Sequence, residues 1–178
     1  MRAQTTSYLS LYLRPILFII LIIGPWVNVP ALADIEGPAR VIDGDTLDLS
    51  GQRVWLHGID APERNQKCWL GGSEWLCGQA SSRALKNFIE GAVVRCSKIG
   101  RDRYGRIVGK CHSKGLDIGQ TMVADGMALA YRKYSSDYVA AEISAKAERI
   151  GIWESHFTEP WHWRRGKRLN ETSSRDKE

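Results

Sequence analysis

Arg40-Val-Ile-Asp-Gly-Asp-Thr-Leu-Asp-Leu49, followed after Ser50-Gly51 by Gln52-Arg-Val-Trp-Leu-His-Gly-Ile-Asp-Ala-Pro-Glu63, decides how the rest of this chain folds. Both runs alternate apolar and polar residues, as half-buried strands do. Pro62 stops the second run, because proline has no N–H to give a ladder. Asp43-Gly44-Asp45 reads as a turn or bulge, where glycine supplies the backbone freedom. If the two strands are neighbours, their ends bring Asp45, Asp60 and Glu63 to one rim. Converging carboxylates repel unless a cation or a proton lies between them. The rim is therefore a site for a hard, oxygen-liganded metal such as Ca²⁺, or for a carboxyl of raised pKa. A solvated turn and a surface glutamate are the plainer alternative for the same residues.

The chain has 178 residues, enough for one domain with a real core. Arg2 and Arg14 precede and flank the apolar run Ile16 to Ile23, and Ala31-Leu32-Ala33 is a small-x-small cleavage pattern before Asp34. Residues 1–33 thus read as a secretory signal peptide, with an uncleaved anchor as the alternative. The expected location is periplasmic or secreted. Taking two arginines and no acids from 25 basic and 20 acidic residues leaves a mature net charge of +3. That excludes a uniformly basic nucleic-acid binder, so an anionic partner would be met by local clusters, Lys98 to Arg106 and Arg164 to Arg168. Four cysteines in an exported chain imply two disulfides. Three connectivities are open. Cys96 and Cys111 are equidistant from the point between Arg103 and Tyr104, so a hairpin turning there would oppose them across two strands and leave Cys68 with Cys77. A zinc site is the competing reading, but there is no C-x₂-C pair.

The remaining elements follow from period and punctuation. Gly71-Gly72 falls in an irregular loop. Gly78–Glu90 is expected as a helix with Ala80, Ala84, Leu85, Phe88 and Ile89 on one face and Gly91 as its stop. Val93–Lys98 and Ile107–His112 are strands around the turn Gly100–Arg106. Asp117 caps a short helix reaching Asp125, and Met127–Tyr131 is a short extended segment. Ser136 is expected to cap a further helix whose apolar face is Tyr138, Val139, Ile143, Ala147 and Ile150, closed by Gly151, with Trp153 packing back on the core. The domain is taken as 34–163, with 164–178 a basic and polar tail, disordered over Asn170–Glu178. About five strands and three helices suit a mainly β chain, a small OB-fold barrel with helices packed on it.

Arg101-Asp-Arg-Tyr-Gly-Arg106 is the second chemical element. A hairpin tip offering Arg101, Arg103 and Arg106 beside Tyr104 can hold a phosphate and lie against a base or sugar, or be a solvated charged turn. With Val41-Ile-Asp-Gly-Asp-Thr46, Leu56-His-Gly-Ile-Asp-Ala-Pro-Glu63, Asp102-Arg-Tyr-Gly-Arg106 and Ala145-Lys-Ala-Glu-Arg-Ile-Gly-Ile-Trp153 in this order, the chain resembles the thermonuclease family, whose best-known member is staphylococcal nuclease. The resemblance covers about residues 38–154. It implies a five-stranded OB-fold barrel with three helices that hydrolyses DNA and RNA phosphodiesters with Ca²⁺. Asp45 and Asp60 resemble the calcium-ligating carboxylates, and Ala61 a ligand acting through its backbone carbonyl. Glu63 resembles the general base, and Arg106 one of two phosphate-clamping arginines. Arg103 and Tyr104 match the terminal-phosphate site, and Tyr131, with Tyr134 beside it, the aromatic wall.

One departure bears on catalysis. The family's other clamping arginine belongs five residues before Asp60, where this chain has Trp55. Indole offers no bidentate cationic fork. Arg53 lies on the same strand face, its Cα displaced by about 6.6 Å, and is the candidate replacement. An active but slower nuclease is one expectation. The alternative is an impaired relative acting as a nucleic-acid or polysaccharide accessory factor, for example in exopolysaccharide (succinoglycan) biosynthesis, with Trp55, Trp69, Trp75, Trp161 and Trp163 as stacking surfaces or as core anchors. A vestigial cleft in a protein serving a redox or stability role is a third. A monomer is the default for a domain of this size.

Overall fold

Ser50 and Gly51 both adopt positive φ, 53° and 80°, the two-residue turn whose twist suits a tight hairpin. It joins β3 (Thr46–Leu49) to β4 (Gln52–Leu56), with Leu47 opposite Val54 and Thr46 opposite Trp55. The computed structural model describes residues 34–169. The expected signal peptide at 1–33 and the tail Asn170–Glu178 lie outside the described residues.

The stretch before β3 is a bent strand rather than one continuous run from Ala39. β1 (Ile35–Gly37) pairs with β8 (Val94–Arg101), and after Pro38 β2 (Ala39–Val41) pairs with β3. Proline breaks the ladder at that point, so one segment can serve two partners. β8 pairs antiparallel with β9 (Ile107–Ser113), which runs parallel to β4. The sheet path β1-β8-β9-β4-β3-β2 begins and ends on the same stretch of chain, which curls it into the expected OB-type barrel. Counting the bent segment once gives the five principal strands. β5 (Ile59–Asp60) continues β4 and pairs with β11 (Leu129–Ala130), while β10 (Leu116–Asp117) adds to β9.

Gly71-Gly72 is not an irregular loop. It is the turn of a hairpin between β6 (Cys68–Leu70) and β7 (Ser73–Trp75), with φ of 55° and 77° at the two glycines. The Cys68–Cys77 disulfide closes this hairpin onto α1 (Cys77–Ile89), and Cys96–Cys111 joins directly opposed residues of β8 and β9. Both bridges are those expected from the turn position between Arg103 and Tyr104.

Leu47, Leu49, Val54, Leu56, Val94 and Ile107 fill the barrel, closed at one end by Leu85 and Ile89 of α1 and by Ile118 and Met122 of α2 (Ile118–Ala124). Asp117 caps α2 as expected, its carboxylate accepting from the Gln120 N–H at 3.1 Å. α3 (Val139–Ala147) departs from expectation: its N-cap is Tyr138, without a side-chain cap bond, and not Ser136. Its buried face is Tyr138, Ala141, Glu142 and Ala145, whereas Ile143 is 60% exposed and Ala147 and Ile150 also face outward. The helix is turned toward the barrel by Glu142, whose carboxylate accepts from the Ala130 N–H at 2.9 Å and pairs with Arg132 at 2.6 Å. A short 3-10 turn, Gly151–Glu154, then carries Ile152 and Trp153 into a second apolar cluster with Cys68, Cys77, Phe157 and Trp161. The last element is α4 (Pro160–Trp163). Among the described residues no helix is long and apolar enough to cross a membrane.

Candidate active site

Asp45 ends the turn before β3, and its carbonyl accepts from the Leu56 N–H at 2.8 Å, tying the turn to the end of β4. Its carboxylate is buried and accepts from the Ala61 N–H at 3.1 Å and from the Thr46 hydroxyl at 2.9 Å. Those two bonds set it beside Asp60, which lies at the end of β5 with no exposed surface. Burial pushes the Asp45 carboxyl well above the usual carboxylate range, and the charges of Asp43 and Asp60 push it further. Burial also raises Asp60, although the Arg164 guanidinium beside it opposes the shift. The two buried carboxyls share one cationic partner, Arg164, which bonds Asp60.

Such a donor set suits a hard cation. Asp45 and Asp60 offer carboxylate oxygens, Ala61 has a backbone carbonyl next to them, and Ca²⁺ accepts oxygen donors in flexible number. Among the described residues no three His, Cys, Asp or Glu side chains stand together as a ready-made cage. A bound Ca²⁺ would complete its shell from backbone oxygen, water and substrate.

Glu63 sits at the mouth of this group, and a buried glutamine places it. Gln66 has no exposed surface; its Oε1 accepts from the Glu63 N–H at 3.1 Å and its Nε2 donates to the Thr158 carbonyl at 2.6 Å. Gly78, in the first turn of α1, packs against the same loop so closely that a Cβ there would lie 1.8 Å from the Glu63 carbonyl oxygen. Gln66→Leu should lower unfolding free energy by about 2–4 kcal/mol in urea titration, since it strands the part-buried Glu63 N–H and the buried Thr158 carbonyl. A loss within experimental error would show that the glutamine is not what holds the loop.

Asp45 and Glu63 open on a cleft of about 1080 Å³ that is also lined by Arg101, Arg103, Tyr104 and Arg106. Asp102 shapes that wall: its carboxylate accepts from the Tyr104 and Arg106 N–H groups, each at 2.9 Å, and from Arg106 Nε at 2.7 Å. Tyr104 is exposed, with Arg103 over its ring at 4.7 Å. Trp55 forms the floor. Its ring meets Tyr131 and Tyr134 edge-on at 6.1 and 5.8 Å, and the Arg106 guanidinium lies over it at 5.3 Å. Arg53 is exposed, opposite Asp48 at the far end of β4, and does not line the cleft. Tyr131 stacks face to face on Trp161 of α4, 5.5 Å apart and 3° from parallel. Trp75 and Trp161 serve the second apolar cluster, and Trp163 is covered by Arg168 at 3.7 Å.

Arg164, assigned from sequence to the basic run Arg164 to Arg168 at the start of the tail, belongs to this site instead. It follows α4, and its guanidinium forms a bidentate pair with Asp60 at 2.8 and 2.6 Å and bonds Glu63 at 2.6 Å. More than a hundred residues separate these partners, and no local period links them.

Known proteins agree with this architecture. A family model described as staphylococcal nuclease homologue matches residues 53–155. The chain is 39% identical over 129 residues, 70% of it and 68% of the relative, to the Succinoglycan biosynthesis protein ExoI of Rhizobium meliloti (strain 1021). It is 33% identical over 165 residues to an Escherichia coli protein named as an uncharacterized endonuclease, covering 87% of this chain and all of that one. It is also 33% identical over 161 residues to the micrococcal nuclease of Shigella flexneri, 80% of this chain and 87% of that protein. This protein belongs to the staphylococcal nuclease family.

Proposed function

We propose that this protein is an exported Ca²⁺-dependent nuclease that hydrolyses phosphodiester bonds of DNA and RNA. The observation that carries the reading is one cleft lined by Asp45, Glu63 and Arg106, with buried Asp60 beside Asp45 behind its wall. Asp45, Asp60 and the Ala61 carbonyl would hold the ion. An ion held there would neutralise charge on the phosphate and lower the pKa of the attacking water. Glu63 takes the proton from the attacking water, since it stands at the rim within reach of solvent and of the carboxylate pair. Arg106 offers its fork to the phosphoryl oxygens as charge builds on them. Arg103 and Tyr104 hold a neighbouring phosphate and its sugar, while Tyr131 and Trp55 give the nucleoside an apolar wall. The two disulfides suit work outside the cytoplasm.

The test is cleavage of plasmid DNA and of a single-stranded RNA by the purified mature protein, with Ca²⁺ and with chelator, beside Glu63→Gln. Ca²⁺-dependent cleavage that falls at least about a hundredfold in the variant is expected. Absence of cleavage at high protein concentration would sink the reading. The name of the 39% identical relative favours a second one, an accessory role in succinoglycan synthesis. Retention of the mature protein by an acidic exopolysaccharide, together with no cleavage, is the result that would install it.

A further inference from the structure

We propose that Arg164 is the second guanidinium of the phosphate site, delivered to the cleft by the C-terminal helix instead of by the barrel. The proposal rests on the nuclease reading above. Its basis is position. A phosphate attacked by water from Glu63 and bound at the Asp60 rim must come within a few ångströms of both carboxylates. Arg164 already touches both, at 2.6 to 2.8 Å.

The helix holds that position from two sides. Trp161, three residues earlier, is stacked on Tyr131, and the Thr158 carbonyl is fixed by buried Gln66, the residue that also sets Glu63. The Arg164 N–H closes on the Pro160 carbonyl at 3.0 Å. Loop, base and guanidinium are thus referred to one buried side chain.

Contacts across the floor connect the two arginines. Arg106 lies over Trp55, Trp55 meets Tyr131, and Tyr131 stacks on Trp161, three residues before Arg164. The cleft floor is an aromatic strip with a guanidinium at each end. A pentacoordinate phosphate spreads its charge over several oxygens, and two forks approaching from different sides match that distribution better than one. Trp55 donates nothing of the kind, and Arg53 is outside the cleft. Three of the five N–H donors of Arg164 are on carboxylates and its side chain is 40% exposed, so part of the fork faces solvent.

In the structure Arg164 also occupies both oxygens of Asp60, the group proposed to hold the cation. Removing it should therefore act in opposite directions on two measurements. With CaCl₂ alone, Arg164→Gln should bind Ca²⁺ several-fold more tightly by calorimetric titration, because a competing charge has gone. With Ca²⁺ saturating, its kcat on a single-stranded oligonucleotide should fall about tenfold to a hundredfold, with Arg164→Lys in between because an ammonium keeps charge without the fork. A merely structural arginine would not produce this crossing, and melting curves of both variants check the fold. Arg164→Gln cleaving at or above the wild-type rate would overturn the proposal and make the C-terminal segment a strap over the site. A wild-type protein that cleaves nothing would remove the nuclease reading itself and this proposal with it.

Discussion

Asp45→Asn should raise the melting temperature of the Ca²⁺-free protein while lowering Ca²⁺-dependent cleavage by about a thousandfold or more. The two effects have one origin. Asp45 is buried, next to Asp43 and Asp60, and its folded pKa lies well above its ordinary value. A carboxyl raised in this way stabilises the fold while it carries its proton. That contribution is fully present below the unfolded pKa and is lost as pH rises through the folded one. Near neutrality the site without a cation therefore holds charge at a cost. An amide of the same shape keeps one acceptor oxygen for the Ala61 N–H, lets the rotatable Thr46 hydroxyl accept from its NH2 instead, and removes the repulsion. The rise should be largest near neutral pH and should shrink in acid. Addition of Ca²⁺ should stabilise the wild type by mass action and leave the variant nearly unmoved. Loss of several kcal/mol of charge stabilisation corresponds to the rate effect. Calorimetric melts with Ca²⁺ and with chelator, beside initial rates on plasmid DNA, check both halves. A variant that melts below the wild type in chelator, or still gains from Ca²⁺, would place the ion elsewhere.

What could be read from the sequence was local. The Ser50-Gly51 hairpin, the face of α1, the Asp117 cap and the opposed Cys96 and Cys111 each depend on residues within one turn or one hairpin, and each appears as expected. Three expectations failed, each for its own reason. Ile143 fits a helical period with Val139 and Ile150, yet α3 is rotated so that a buried carboxylate, Glu142, reaches the Ala130 N–H. Period alone cannot show that an acid will be the inward residue when its partner is a backbone N–H on a distant strand. Ser136 resembles a cap, but the chain is still turning there: the Ser135 hydroxyl accepts from the Asp137 N–H and α3 starts only after Tyr138. Gly71-Gly72 was legible in principle, since paired glycines between short runs are a hairpin signal; the disulfide loop around them obscured it. At the site, the carboxylate rim and the arginine hairpin lie in continuous motifs. Gln66 and Arg164 do not. Their roles come from pairing with Thr158 and with Asp60, contacts that exist only once the C-terminal helix has docked. An arginine followed by Arg165, Gly166, Lys167 and Arg168 reads as a tail until a buried acid is found to meet it.

Arg106→Ala should cost about 10²–10³ in kcat and little in stability, because of how the hairpin tip is built. Asp102 organises that tip by accepting two backbone N–H bonds, and Arg101 closes it by donating to the Gly105 carbonyl at 2.6 Å. None of these needs the Arg106 side chain. That side chain contributes one bond, Nε to Asp102, which is part-exposed and worth on the order of 0–1 kcal/mol. Asp102 itself sits below the ordinary carboxylate range, because burial is outweighed by its bonds to Arg106 and Tyr104, so the pair is present well into mild acid. Use of Nε leaves the terminal fork directed along the Trp55 floor. There it can meet two phosphoryl oxygens at once. Lysine at this position keeps the charge but cannot form the fork or lie flat on the indole, so Arg106→Lys should recover only a small part of the rate. Asp102→Ala is the contrasting variant, expected to lower both rate and melting temperature by releasing the turn. Rates on a short oligonucleotide under saturating Ca²⁺, with thermal melts of all three, separate chemistry from scaffold. An Arg106→Ala protein working at the wild-type rate would mean that charge on the phosphate is carried without this wall of the cleft.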